Sequence, residues 1–323
     1  MNYYAKYIFV LLILFAFGFM FEGYKKQEEK QNKSEEYELI KKYLLNDSTL
    51  ARSDKPVLWI PIDFQVNARW WSSFASRNST CFNQPYQYLT IKSIIDKCGD
   101  SFNVCLLNDK SFNTIIPGWS TKVANLPNPL RNHLRELAMA KVLYYYGGMT
   151  IPSSFICMKN LMPLYVKGTS SSEMFAGELL CKNESGIYSE FFPSHKIMGC
   201  LKNCSVMERY VKYLEIEVSN DYTNEMEFTG TTDKWLYEEV MKKQIMPLDA
   251  KYFGCKTANS QPVLLDDLMS DDDDFKISDC TFGVYIPADD VLKRVNLQWF
   301  ARLSPQQVLE SNTVIARYLL LCN

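Results

Sequence analysis

Three acidic side chains in this sequence stand where they could do chemistry. Asp63 lies near the end of the apolar run VLWIPIDF (57–64), Asp109 closes FNVCLLND (102–109), and Glu136 sits in the helix-like segment LRELAMAKVLYYY (134–146). In open α/β sheets ligands bind beyond the carboxyl ends of the strands, so Asp63 and Asp109 are site candidates. The plainer role for both is a turn that caps the next element. SDDDD (270–274) offers a cation site or, with its unspaced like charges, a solvated loop, and it lacks the alternation of a calcium loop. His133 and His195 are the two histidines. His133, on the helix, reads as a half-buried residue and His195 as a loop residue that could touch a substrate. No Ser-His-Asp set, phosphate-binding Gly loop or HExxH pattern is present. Arg69-Trp70-Trp71 could stack on a sugar or a base, or simply belong to a core.

These residues need elements to hold them. The run 57–64 reads as a buried strand. Ile91, Ile94 and Ile95 recur at helical spacing within 88–98, and 102–109 reads as a second strand. Strand, helix, strand at this spacing predicts a βαβ unit and a parallel sheet. A helix from about Leu130 follows, closed by Gly147-Gly148, where glycine supplies the left-handed turn. The run 149–157 is β-prone, 175–180 and 197–201 read as short strands, and 207–216, 235–245 and 305–321 read as helices.

With 323 residues and 47% hydrophobic content the chain can bury a sizeable core, and a net charge of −2 supplies no basic field for nucleic acid. Residues 7–21 carry no charge. A helix spanning a bilayer needs about 20 apolar residues, fewer where a flanking lysine such as Lys6 snorkels. The expected organisation is a membrane anchor with a short cytoplasmic end (1–24), a charged stem (25–55) and a globular domain (56–323). A cleaved signal peptide is the rival reading of the first segment. Lys6 favours a cytoplasmic N-terminus, while Lys25 and Lys26 pull the other way. Ten cysteines suit an oxidising compartment or a set of buried free thiols, and spacing alone assigns no pairs. N-glycosylation sequons fall at Asn32, Asn46, Asn78, Asn183 and Asn203.

LRELAMAKVLYYYGGMTIPSSFICMKNL (134–161) resembles the core of the DXD-type and capsular-polysaccharide-synthesis glycosyltransferases. Leu143-Tyr144-Tyr145-Tyr146-Gly147-Gly148 matches their Leu-Tyr-x-Tyr-Gly-Gly, and Ile151, Phe155, Lys159 and Leu161 fit the strand that follows. The resemblance covers roughly 56–165 in useful detail. It implies a GT-A-like α/β fold, a mostly parallel mixed sheet flanked by helices. It also implies a type II membrane protein with the domain lumenal or extracellular (virion or host membrane if viral), acting on a nucleotide sugar and a glycan or protein acceptor. Asp63, Asp109 and Glu136 would lie near the nucleotide, and Gly147-Gly148 would let the backbone approach it. The family's acidic metal ligands, however, are replaced by Ile151-Pro152-Ser153-Ser154, and its helix Arg aligns with Met139. Mn²⁺ or Mg²⁺ would then need carboxylates from elsewhere, or Arg69, Lys110 or Arg131 would have to meet the diphosphate charge instead. Two functions stay open: a membrane-anchored transferase, and a catalytically inactive GT-A-like binding or structural protein, such as a large-virus component.

Overall fold

The computed structural model describes residues 55–63, 84–126, 130–179, 191–219, 225–271 and 277–322. The anchor, the stem up to residue 54, Arg69, Trp70, Trp71, Cys81, Cys181 and the sequons at Asn32, Asn46, Asn78 and Asn183 lie outside the described residues. Within them, no helix is long and apolar enough to cross a membrane.

In chain order the elements are β1 (Val57–Pro61), α1 (Gln87–Cys98), β2 (Asn103–Leu107), α2 (Ser111–Ile115), α3 (Leu130–Tyr146), β3 (Gly148–Thr150), β4 (Phe155–Cys157), α4 (Met162–Ser170) and β5 (Met174–Glu178). There follow β6 (Pro193–Cys200), α5 (Ser205–Ser219), α6 (Glu225–Met241), β7 (Met246–Leu248), α7 (Leu265–Met269), β8 (Gly283–Tyr285), α8 (Ala288–Lys293), α9 (Pro305–Leu309) and α10 (Val314–Cys322). The main sheet has the order β2-β1-β3-β6-β5-β7. β2, β1 and β3 are parallel, β6 runs antiparallel to both neighbours, and β7 is parallel to β5. β4 and β8 form a separate antiparallel pair. This is an α/β fold with a mixed, mostly parallel sheet flanked by helices.

Burial on both faces explains why β1 reads as a continuous apolar run rather than an alternating one. Leu58 and Ile60 face α1, packing with Ile91, Ile94 and Ile95 and with Leu164 of α4. Trp59 points to the other face, among Leu137, Ala138 and Val142 of α3 and Met207 and Tyr210 of α5. Trp59 is fully buried, and its Nε1–H donates to the Gly147 carbonyl at 2.9 Å. Burial of an indole of this size is worth roughly 4 kcal/mol. A third cluster packs β4 and β8 against the C-terminal helices through Ile156, Val284, Phe300, Ile315 and Leu319.

Two sequence expectations change. The run 149–157 is two strands in two sheets, because Ile151-Pro152-Ser153-Ser154 leaves the main sheet between them. The C-terminal helix is split, with α9 ending at Leu309 and the Thr313 side chain accepting from the Ala316 N–H to open α10.

The glycine pair closes α3 as expected. Gly147 has φ 69° and its N–H donates to Leu143 O at 2.8 Å. Gly148 has φ 96°, and a Cβ there would stand 2.1 Å from the Val57 carbonyl oxygen. Only glycine lets β3 enter the sheet this close to the start of β1.

Candidate functional site

The topology brings distant residues to one edge. β1, β2 and β3 are parallel, so their carboxyl ends, at Pro61, Leu107 and Thr150, lie together. Because β6 runs the other way, its first residues reach that same edge. There they line a cleft of about 440 Å³, with the first half of α3 on one side and the start of α8 on the other. Asp63, Asp109, Arg135, Glu136, His195 and Lys196 supply its principal charges, joined by Asp233 and Asp289.

The chain brings three of its predicted site residues together. Arg135 reaches from α3 to the exits of two strands. Its Nε–H donates to Asp109 Oδ1 at 2.7 Å and an Nη2–H to Asp109 Oδ2 at 2.8 Å. Its Nη1 lies 3.8 Å from Asp63 Oδ2. The guanidinium therefore stands at the two strand-end carboxylates. Burial would lower the Arg135 pKa, but the bond to Asp109 and the charges of Asp109, Asp63 and Asp289 together outweigh it, so the group is held more firmly charged than usual.

Glu136, the neighbouring residue, turns inward. Only 8% exposed, it accepts a hydrogen bond from Tyr210 Oη at 2.6 Å. His195 lies beyond it, with Nδ1 3.7 Å from Glu136 Oε1 and 3.3 Å from Asp233 Oδ1. Burial pushes the imidazole pKa down, yet the charge on Glu136 and the contact with Asp233 carry it above its ordinary value. His133 behaves oppositely: burial and the nearby His195 push it down to about 4. Lys196 donates to Asp289 Oδ2 at 2.8 Å and to Tyr285 Oη at 3.3 Å. Its charge holds the Asp289 carboxyl below the usual range.

Other expectations are placed elsewhere. Gly147 and Gly148 lie at the opposite end of the strands, against Val57 and Cys200, and do not line the cleft. Their conformations serve the entry into β3. His195 belongs to strand β6 rather than to a loop. Lys110 is exposed, and Arg131 donates to the Leu126 carbonyl at 2.8 Å. The position aligned with the family's helix Arg, Met139, does line the cleft, but the basic residue there is Arg135, one helical turn earlier.

The segment that replaces the acidic metal ligands is structural. Thr90 Oγ1 donates to the Ser153 carbonyl at 2.5 Å, Ser153 Oγ donates to Gln87 Oε1 at 3.2 Å, and Ser154 Oγ donates to Ile286 O at 2.7 Å. These bonds tie the exit of β3 to α1 and to the end of β8. Among the described residues no three carboxylate, imidazole or thiol groups gather as a metal site. The donor set does not suit a resident divalent cation, since the guanidinium of Arg135 already occupies the carboxylate of Asp109.

Sequence reasoning missed Lys196, Asp233, Tyr285 and Asp289. Only Asp289 carried a signal, as an acidic residue after a proline at a helix start, in PADD.

No protein-family model and no curated protein sequence matches the chain. Among solved structures it is similar to the crystal structure of mouse xyloside xylosyltransferase 1 in its apo form. The TM-score is 0.34 at 8% identity, over 62% of this chain and 87% of that one.

Proposed function

We propose that this chain is a glycosyltransferase-like protein whose cleft takes a nucleotide sugar without a resident divalent cation. The observation that supports the reading is Arg135, held across Asp109 and beside Asp63 at the carboxyl ends of β2 and β1. In this reading the fixed cations, Arg135 and Lys196, meet the phosphate charge that a metal ion would otherwise neutralise. Asp63, Asp233 and Asp289 accept hydrogen bonds from sugar and ribose hydroxyls. Five carboxylates line the cleft against these two cations, so hydroxyl groups are the better-matched half of the ligand and phosphate the harder half. The apolar run 7–21 supports the further proposal of a single-pass type II anchor, with the domain lumenal or extracellular.

A second reading, binding without transfer, draws on Ile151-Pro152-Ser153-Ser154, whose side chains and carbonyls are spent on packing rather than chemistry. One panel separates the two. Nucleoside diphosphates, their sugar conjugates and the free sugars are tested with and without Mn²⁺, by thermal shift and by nucleotide release. A ligand at 100 times its Kd stabilises by about 2.7 kcal/mol, well within detection. A shift with release supports transfer, and a shift without release supports the binding protein. Neither shift nor release across the panel refutes both.

A further inference from the structure

We propose that Cys98 and Cys157 are a disulfide-forming pair, a modification site that ties the end of α1 to β4. The two sulfurs lie 3.8 Å apart, and both residues are fully buried. They come from different layers. Cys98 is the last residue of α1, just beneath the exposed turn at Gly99 and Asp100. Cys157 ends β4, where its backbone N–H donates to Ser93 Oγ of the same helix at 2.9 Å. That bond and the packing of α1 against β4 hold the two segments together, so the link needs the sulfurs to close from 3.8 Å to bonding distance.

The chemistry of the pair is asymmetric. Either thiol can donate in this contact, and Cys157 Sγ also reaches the Lys159 carbonyl at 3.2 Å. Cys98, beside the exposed turn at 99–100, is the thiol that an oxidant reaches first, and Cys157 resolves. The oxidant is a disulfide, either oxidised glutathione or the disulfide form of a thiol oxidoreductase. Cys98 S⁻ attacks one of its sulfurs, giving a mixed disulfide and releasing one thiolate. Cys157 then loses its proton and attacks Cys98 Sγ, which closes the protein disulfide and releases the second thiolate. Two protein thiols are oxidised and one disulfide is reduced to two thiols. Because the folded pair is buried, the exchange belongs to folding or to opening of the 99–100 turn.

The link would close a loop spanning about 60 residues around the exit of β3, whose Pro152 and Ser153 line the cleft. The inference does not rest on what the cleft binds. To test it, the full chain is produced in a secretory compartment, quenched with N-ethylmaleimide without reductant, digested and mapped by mass spectrometry. The expected result is a peptide joined through 98 and 157 that reductant separates, with the melting temperature falling by roughly 5–10 °C on reduction. The Cys98→Ala/Cys157→Ala double variant should melt at one temperature with or without reductant. Finding both cysteines alkylated as free thiols overturns the proposal. So does finding either joined to another cysteine, such as Cys322, whose charge Cys157 also senses.

Discussion

The placement of Arg135 can be tested by a double-mutant cycle with Asp109. The variants are Arg135→Met, which keeps the aliphatic stem, Asp109→Asn, which keeps the shape, and the pair together. Two charge-assisted bonds of 2.7 and 2.8 Å join the residues, whose side chains are 26% and 14% exposed. Breaking a fully buried pair costs about 3–5 kcal/mol, and an exposed pair couples by about 0.2–1 kcal/mol. Partial burial and fork geometry place this pair between them, at a coupling of about 2 kcal/mol. Asp63, at 3.8 Å and 36% exposed, adds no more than about 0.5 kcal/mol. Urea melts of the four proteins at one pH give the coupling directly, provided the m values agree. A coupling below about 0.5 kcal/mol would refute the claim that the guanidinium is built into the site. The same variant carries a second readout. With the guanidinium gone, Asp63 and Asp109 repel each other, and millimolar Mn²⁺ should stabilise Arg135→Met but not the unsubstituted chain. Equal stabilisation of both would show that Arg135 does not stand in a cation's place.

Gly148→Ala should cost more than about 4 kcal/mol, because the new Cβ would overlap the Val57 carbonyl at 2.1 Å. Gly118→Ala, at φ 74° with nothing within 4 Å of the added atom, should cost only about 1–2 kcal/mol, and equal losses in thermal melts would remove the close-approach argument. His195 has its folded pKa raised above the unfolded value of about 6.5. Its stabilisation is therefore complete below that pH and lost as pH rises through the folded value, and His195→Gln should destabilise more at pH 5.5 than at pH 8.5. Depressed to about 4, His133 works the other way, costing about 1–2 kcal/mol as pH falls from 6.5 toward 4 after allowance for solvent screening. His133→Gln should relieve that loss; acid melts identical to those of the unsubstituted chain would contradict it. Both profiles include the charges of Glu136, Asp233 and Lys196 around His195. Asn203 is exposed in the turn before α5, so a lumenal domain should carry a glycosidase-sensitive mass increment that Asn203→Gln removes in part. A gel shift unchanged by the substitution would count against glycan at that site.

The features legible in the chain alone are local and periodic. The buried strand at 57–61, the helix over 87–98, the second strand at 103–107 and the glycine stop after α3 follow from apolar spacing and from backbone chemistry that only glycine tolerates. Asp63 and Asp109 were legible as strand-end carboxylates because a parallel βαβ unit delivers both to one edge. Three features depend on how the elements pack. The reversed direction of β6 carries His195 and Lys196 to that edge, and strand direction leaves no mark on a short apolar segment. The break of the run 149–157 into two sheets depends on partners at Gln87, Thr90 and Ile286, far away in the chain. Cysteines cluster in sequence at 81–105 and 181–204, yet among the described residues the thiol that meets Cys98 is Cys157, brought there by the packing of α1 on β4. Periodicity records what each residue needs from its own element. Which residues meet across elements is set by packing of the whole sheet, and the chemistry of the cleft lives on those meetings.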